Sequence, residues 1–127
     1  MPKPSQTAVT RAAMAVMCGD LEQLRGVVND AAAGRLSTSQ ILGSLRSLGP
    51  RLGSDANALR RSGQPEASRL VRDVSRAVTE IPDAIDRGQN EFVVITSNLG
   101  RIGTDLQRIV PGRCSTITPS SPNEPDG

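Results

Sequence analysis

Along four successive stretches of this chain aliphatic residues return at alternating steps of three and four, a period that belongs to helices with one buried face. In the first stretch Val9, Ala12, Ala13, Val16, Met17, Leu21, Leu24, Val27, Val28 and Ala31 share a face, and Gly34 supplies a C-terminal stop. The second opens on Ser37 and Gln40, spaced as a capping box, and carries Ile41, Leu45, Leu48, Leu52, Ala56 and Leu59 before Ser62-Gly63 closes it. Pro65 suits the first turn of a third helix, faced by Leu70, Val71, Val74, Ala77, Val78, Ile81 and Ile85 and stopped at Arg87-Gly88. A fourth sets Phe92, Ile95, Leu99, Ile102, Leu106 and Ile109 on its seam and ends at Pro111-Gly112.

Three places interrupt this pattern. Gly49-Pro50 is expected to kink the second helix or divide it, and Pro82 to kink or break the third, because proline lacks a backbone donor and clashes with the preceding turn. Asp20 followed by Gln23 reads as a second capping box, so the first helix either runs through from Val9 or begins afresh at Leu21. Short loops set consecutive helices antiparallel, and the expected architecture is all-α, an antiparallel up-down-up-down four-helix bundle. The alternative fuses the last two segments through Pro82 into one long bent helix, giving a three-helix bundle. Residues 1–17 form an N-terminal arm or signal remnant, 18–114 the bundle, and 115–127 a disordered tail too polar to offset its ordering entropy.

The core implied by these stripes is aliphatic, since Phe92 is the only aromatic residue in 127. One aromatic ring cannot build the stacking platform on which single-stranded nucleic acid or a flat cofactor is commonly held. The net charge of +2 is interleaved, with no basic run longer than Arg60-Arg61, so no nucleic-acid footprint is expected. Only Lys3 among the 15 basic residues is lysine, a bias that points to a GC-rich source. No apolar run reaches the ~20 residues of a membrane span. Lys3 and Arg11 precede the apolar Ala12 to Met17, a stretch shorter than a signal core and without a small-x-small cleavage site before Cys18.

Cys18 and Cys114 are the only cysteines. In an antiparallel four-helix bundle the start of the first helix and the end of the fourth lie at the same pole, and these residues flank those points if the first helix begins at Asp20. A disulfide there would close a loop of nearly the whole domain, which chain entropy values at roughly 4 to 5 kcal/mol. Such a bridge implies an oxidising compartment, extracytoplasmic or secreted. The alternative is two free thiols acting as small apolar residues in a cytoplasmic bundle.

Cys18-Gly19-Asp20-Leu21-Glu22-Gln23-Leu24-Arg25-Gly26-Val27-Val28, followed by Ala/Leu/Val/Ser-rich helices and a last Cys114 before a polar tail, resembles the small two-cysteine helical exported proteins of high-GC Gram-positive (actinobacterial) bacteria. The resemblance covers residues 18–114 and implies a location more than a chemistry. This chain departs from those proteins in having no clear signal peptide, and Met17 stands where a lipidated cysteine would follow Gly or Ala.

With no histidine, the chain has neither the usual zinc sites nor a Ser-His-Asp or Cys-His nucleophile, and no metal is expected. No phosphate-binding glycine loop follows a strand, and no cofactor is implied. Gly100 and Gly103 are expected to allow close helix packing. One enzymatic resemblance stands: Leu21-x-x-Leu24-Arg25-x-x-Val28-Asn29-Asp30 is similar to the opening helix of helical chorismate mutases. That resemblance implies an anion site, for which Arg25, Arg35, Arg46 and Arg69 are the candidates. The leading expectation is a non-enzymatic extracytoplasmic bundle that binds a protein or an apolar ligand through a helix face. A cytosolic adaptor or oligomerisation module with an apolar arm over Val9 to Met17 stands second, and the mutase-like enzyme third.

Overall fold

A computed structural model of the chain describes residues 6–114; Met1 to Ser5 and the polar tail from Ser115 lie outside the described residues. Four helices follow one another: α1 (Gln6–Ala32), α2 (Thr38–Arg61), α3 (Pro65–Asp86) and α4 (Glu91–Arg113). Each packs on the next and α4 returns to α1, which makes an antiparallel four-helix bundle with α2 and α3 as its most intimate pair. No strand occurs among the described residues.

The turns are set by local chemistry. Ser37 caps α2 by accepting from the Gln40 amide, while the Gln40 side chain accepts from the Ser37 amide at 2.8 Å. Asn90 caps α4 by accepting from Val93 N at 3.0 Å. Gly34, Gly63 and Gly88 end the first three helices with φ of 73°, 85° and 96°, a left-handed conformation open to glycine at little cost. The separation of α3 from α4 at Arg87–Asn90 excludes the three-helix alternative.

Neither interior proline divides its helix. Pro50 lies within α2 and Pro82 within α3. Leu45, Leu48 and Leu52 around Pro50 are fully buried, and so is Ile81 beside Pro82. Burying each such side chain contributes roughly 1.5–3 kcal/mol, so a few of them outweigh the ~3 kcal/mol that an interior proline costs. The helix at Pro111 likewise continues, to Arg113.

The first helix begins neither at Leu21 nor beyond an arm ending at residue 17. It runs unbroken through both points, with Met14 and Met17 buried in the core. Thr10 Oγ1 donates to the Ser62 carbonyl at 3.1 Å, tying the first turns of α1 to the end of α2. Asp20, the expected cap, is an interior residue of α1 and is buried. Four residues of the expected faces also point outward: Phe92 is 75% exposed, Val16 58% and Val9 40%, and Ala12 is exposed as well. The core is completed without them by Val94, Ile95, Leu99, Ile102, Leu106 and Ile109 from α4.

Close approach of α2 to α3 depends on Gly49. A Cβ at that position would lie 2.7 Å from Thr79 Oγ1, below any real contact. The Gly49 carbonyl accepts from Ser75 Oγ at 2.8 Å, and the Ala56 carbonyl from Ser68 Oγ at 2.7 Å. Gly49 is thus a contact point between two continuous helices and not a break.

Cys18 and Cys114 are joined in a disulfide across 96 residues, with 5.6 Å between their α-carbons. Four antiparallel passes bring the end of α4 back toward the pole where α1 starts, but the bridge meets α1 at its middle and not at a helix start near Asp20 as expected. The N-terminal turns of α1 therefore run on past the end of α4.

Candidate ligand-binding groove

Beside that bridge, α1 and α4 leave an elongated trough between them. Arg25, Val28 and Asn29 fall on one strip of α1 by their three- and four-residue spacing. Leu99, Gly100, Gly103, Thr104 and Gln107 do the same on α4. Together they enclose a cleft of about 290 Å³. A second cleft of about 280 Å³ continues it, walled by Ala31, Ala32, Ile41, Ile95 and Thr96. Val28, Leu99 and Gly100 line both, so the two are one depression.

The glycines give the trough its depth, and they do so differently. A Cβ on Gly103 would sit 3.4 Å from Val28 Cγ1, so here the helices touch, as the expected packing role requires. A Cβ on Gly100 would meet nothing within 4 Å, so Gly100 opens space instead. Chemically the trough is graded. Arg25, Asn29, Thr104 and Gln107 line the half nearer the bridge beside the apolar Leu106, Val110 and Pro111, whereas the far half is alanine, isoleucine and leucine with one threonine.

A second polar feature lies inside the bundle, between α1 and α2. Asp55 is 6% exposed, and its carboxyl shares a hydrogen bond with Asp20. Arg51 donates to Asp20 Oδ1 and also to Gln23 Oε1, the latter at 2.9 Å. Burial first, then the hydrogen bond and charge of Asp20, push the Asp55 carboxyl up to about 8 against the opposing pull of Arg51. Asp55 is therefore protonated at neutral pH. Its Oδ2 has no hydrogen-bond partner among the described residues. A signal for this pair exists in the sequence, since Asp55 stands three residues after Leu52 and falls on the aliphatic seam. Asp20 likewise sits between Met17 and Leu24 on the buried strip.

The four arginines expected to share an anion do not gather. Arg35 lies in the α1–α2 connection at one pole, where it pairs with Asp30 at 3.6 Å. Arg69 is exposed near the start of α3, at the opposite pole. Arg25 pairs with Glu22 at 3.5 Å on α1, and Arg46 reaches Asp86 at 3.2 Å between α2 and α3. The bundle puts Arg35 and Arg69 at opposite poles, while Arg25 and Arg46, at similar heights, stand on different helices and pair with different acids. Of the four, Arg25 alone lines the trough.

Among the described residues no group of three or more acidic or cysteine side chains is placed to hold a metal ion. No helix of the described residues is long and apolar enough to cross a membrane. Compared with family models, with curated proteins and with solved structures, the chain matches none.

Proposed function

We propose that this chain is a non-enzymatic binding module that works outside the cytoplasm and holds a protein segment or an apolar ligand in the trough between α1 and α4. The observation that carries this reading is the bridge from Cys18 to Cys114, which anchors the last turn of α4 to α1 beside the trough. A covalent tie at that point keeps the two walls in register when an occupant enters, lowering the ordering free energy that binding must offset. A bridge of this kind also belongs with an oxidising compartment, in keeping with the resemblance to exported actinobacterial proteins.

The test is mass spectrometry of intact protein recovered from an oxidising compartment, with and without reduction and alkylation. The expected result is no alkylation before reduction and two alkylated cysteines after it. Two free thiols in the unreduced protein would remove the support for an extracytoplasmic module.

A second reading, a cytosolic oligomerisation element, is favoured by Val9 and Val16, both exposed on the stretch of α1 that overshoots α4. Replacing both by serine leaves the buried Met14 and Met17 in place. Sedimentation of the wild type as a monomer, unchanged by that double substitution, counts against it.

A further inference from the structure

We propose that the trough between α1 and α4 binds a free long-chain aliphatic carboxylate, with its head group at Arg25 and its chain running over Gly103 and Gly100 toward Ile95. This assignment rests on the binding-module reading and gives it a ligand class.

Three observations carry it. The first is charge: among the described residues Arg25 is the one charged side chain lining either half of the trough, so these walls favour an anion near Arg25. Glu22, one turn before Arg25, pairs with it at 3.5 Å in an exposed setting, a weak contact that a carboxylate ligand can replace. The second is the polarity gradient. Asn29, Thr104 and Gln107 line the same half as Arg25 together with the apolar Leu106, Val110 and Pro111, whereas Ala31, Ala32, Ile41 and Ile95 line the far half with Thr96 as its one polar side chain, so the walls suit an occupant with one polar group near Arg25 and an aliphatic body. The third is width. Val28 touches α4 at Gly103, so the depression is a seam between helices in contact. From Gln107 to Thr96 the trough runs roughly 16 Å along α4, a span suited to an extended alkyl chain.

Gly100 supplies the decisive variant. A side chain there fills the trough without meeting another atom at its Cβ, so Gly100→Leu blocks the site while leaving the bundle intact. The experiment is calorimetric titration of the oxidised full chain with oleate, with oleyl alcohol and with vesicles of an anionic phospholipid, repeated on Gly100→Leu and Arg25→Gln. Thermal melts of each variant accompany the titrations.

Oleate should bind the wild type at one site, and Gly100→Leu should abolish binding with no fall in melting temperature. Arg25→Gln should weaken oleate about tenfold, the loss expected of one charge-assisted hydrogen-bonded contact, and leave oleyl alcohol unchanged. Oleate binding that survives Gly100→Leu, or equal affinity for oleate and the alcohol, overturns the assignment. So does binding to vesicles without uptake of oleate. Absence of oleate binding by protein whose bridge is intact removes the ligand and leaves the binding-module reading standing, whereas two free thiols remove that reading whatever oleate does.

Discussion

Asp20 of α1 and Asp55 of α2 share a hydrogen bond in the interior of the bundle, with the Arg51 guanidinium against Asp20. Two carboxyls cannot both ionise at that separation without strong repulsion, so one keeps its proton. Asp55 holds the proton, its carboxyl raised first by burial and then by Asp20.

A pH dependence follows, with a definite sign. In the unfolded chain Asp55 loses its proton near 3.8, and in the folded protein near 8. Between those values the folded state binds the extra proton, so stability falls as pH rises, by at most about 1.4 kcal/mol per unit, and levels off above pH 8. Asp55→Asn keeps a neutral side chain in the same space. Denaturant midpoints measured from pH 4 to 9 should decline for the wild type and stay nearly flat for the variant, which is the more stable of the two at pH 9.

Replacing Cys18 and Cys114 together by serine, or reducing the bridge, should lower stability by about 4 kcal/mol, the entropy of a loop closed across almost the whole bundle. The last turns of α4 should then exchange their amides faster than the middle of α2, because α4 ends at the bridge. Equal midpoints with and without reductant would show that the closure contributes nothing.

Two glycines of α2 should respond in opposite ways to alanine. Gly43 is exposed with free space at its Cβ, so Gly43→Ala should stabilise by about 0.5–1 kcal/mol through helix propensity alone. Gly49→Ala gains the same propensity but drives a methyl into Thr79 Oγ1, and overpacking of this kind typically costs about 1–3 kcal/mol. Thermal melts should therefore rank Gly43→Ala above Gly49→Ala by at least about 1 kcal/mol.

Phe92 offers a contrast with the leucines of the core. Because it is 75% exposed, Phe92→Ser should change stability by less than about 0.5 kcal/mol. Leu24→Ala removes a fully buried side chain and should cost about 2–5 kcal/mol. Urea titrations of the two variants check the difference.

The number of helices, the cap of α2 and the glycine stops were legible in the chain itself. Ser37 with Gln40, the glycines at 34, 63 and 88, and four stripes of three-four period are signals written in neighbouring residues, and the local geometry they demand is the geometry found. An even number of antiparallel passes brings the end of α4 toward the pole where α1 starts, but that the bridge meets α1 at its middle was not legible, because the expected start at Asp20 is interior to α1. Only tertiary packing decided the rest. Asp20 looks like a cap and Pro50 like a break, but each is worth no more than a few kcal/mol locally, and the burial of Met17, Leu21, Leu48 and Leu52 outweighs both. Phe92 reads as a seam residue because period alone cannot say how wide the covered face is. The spread of Arg35, Arg46 and Arg69, and the trough that Gly100 opens beside Arg25, depend on the height at which one helix lies against another. That height is set by side chains far apart in the chain.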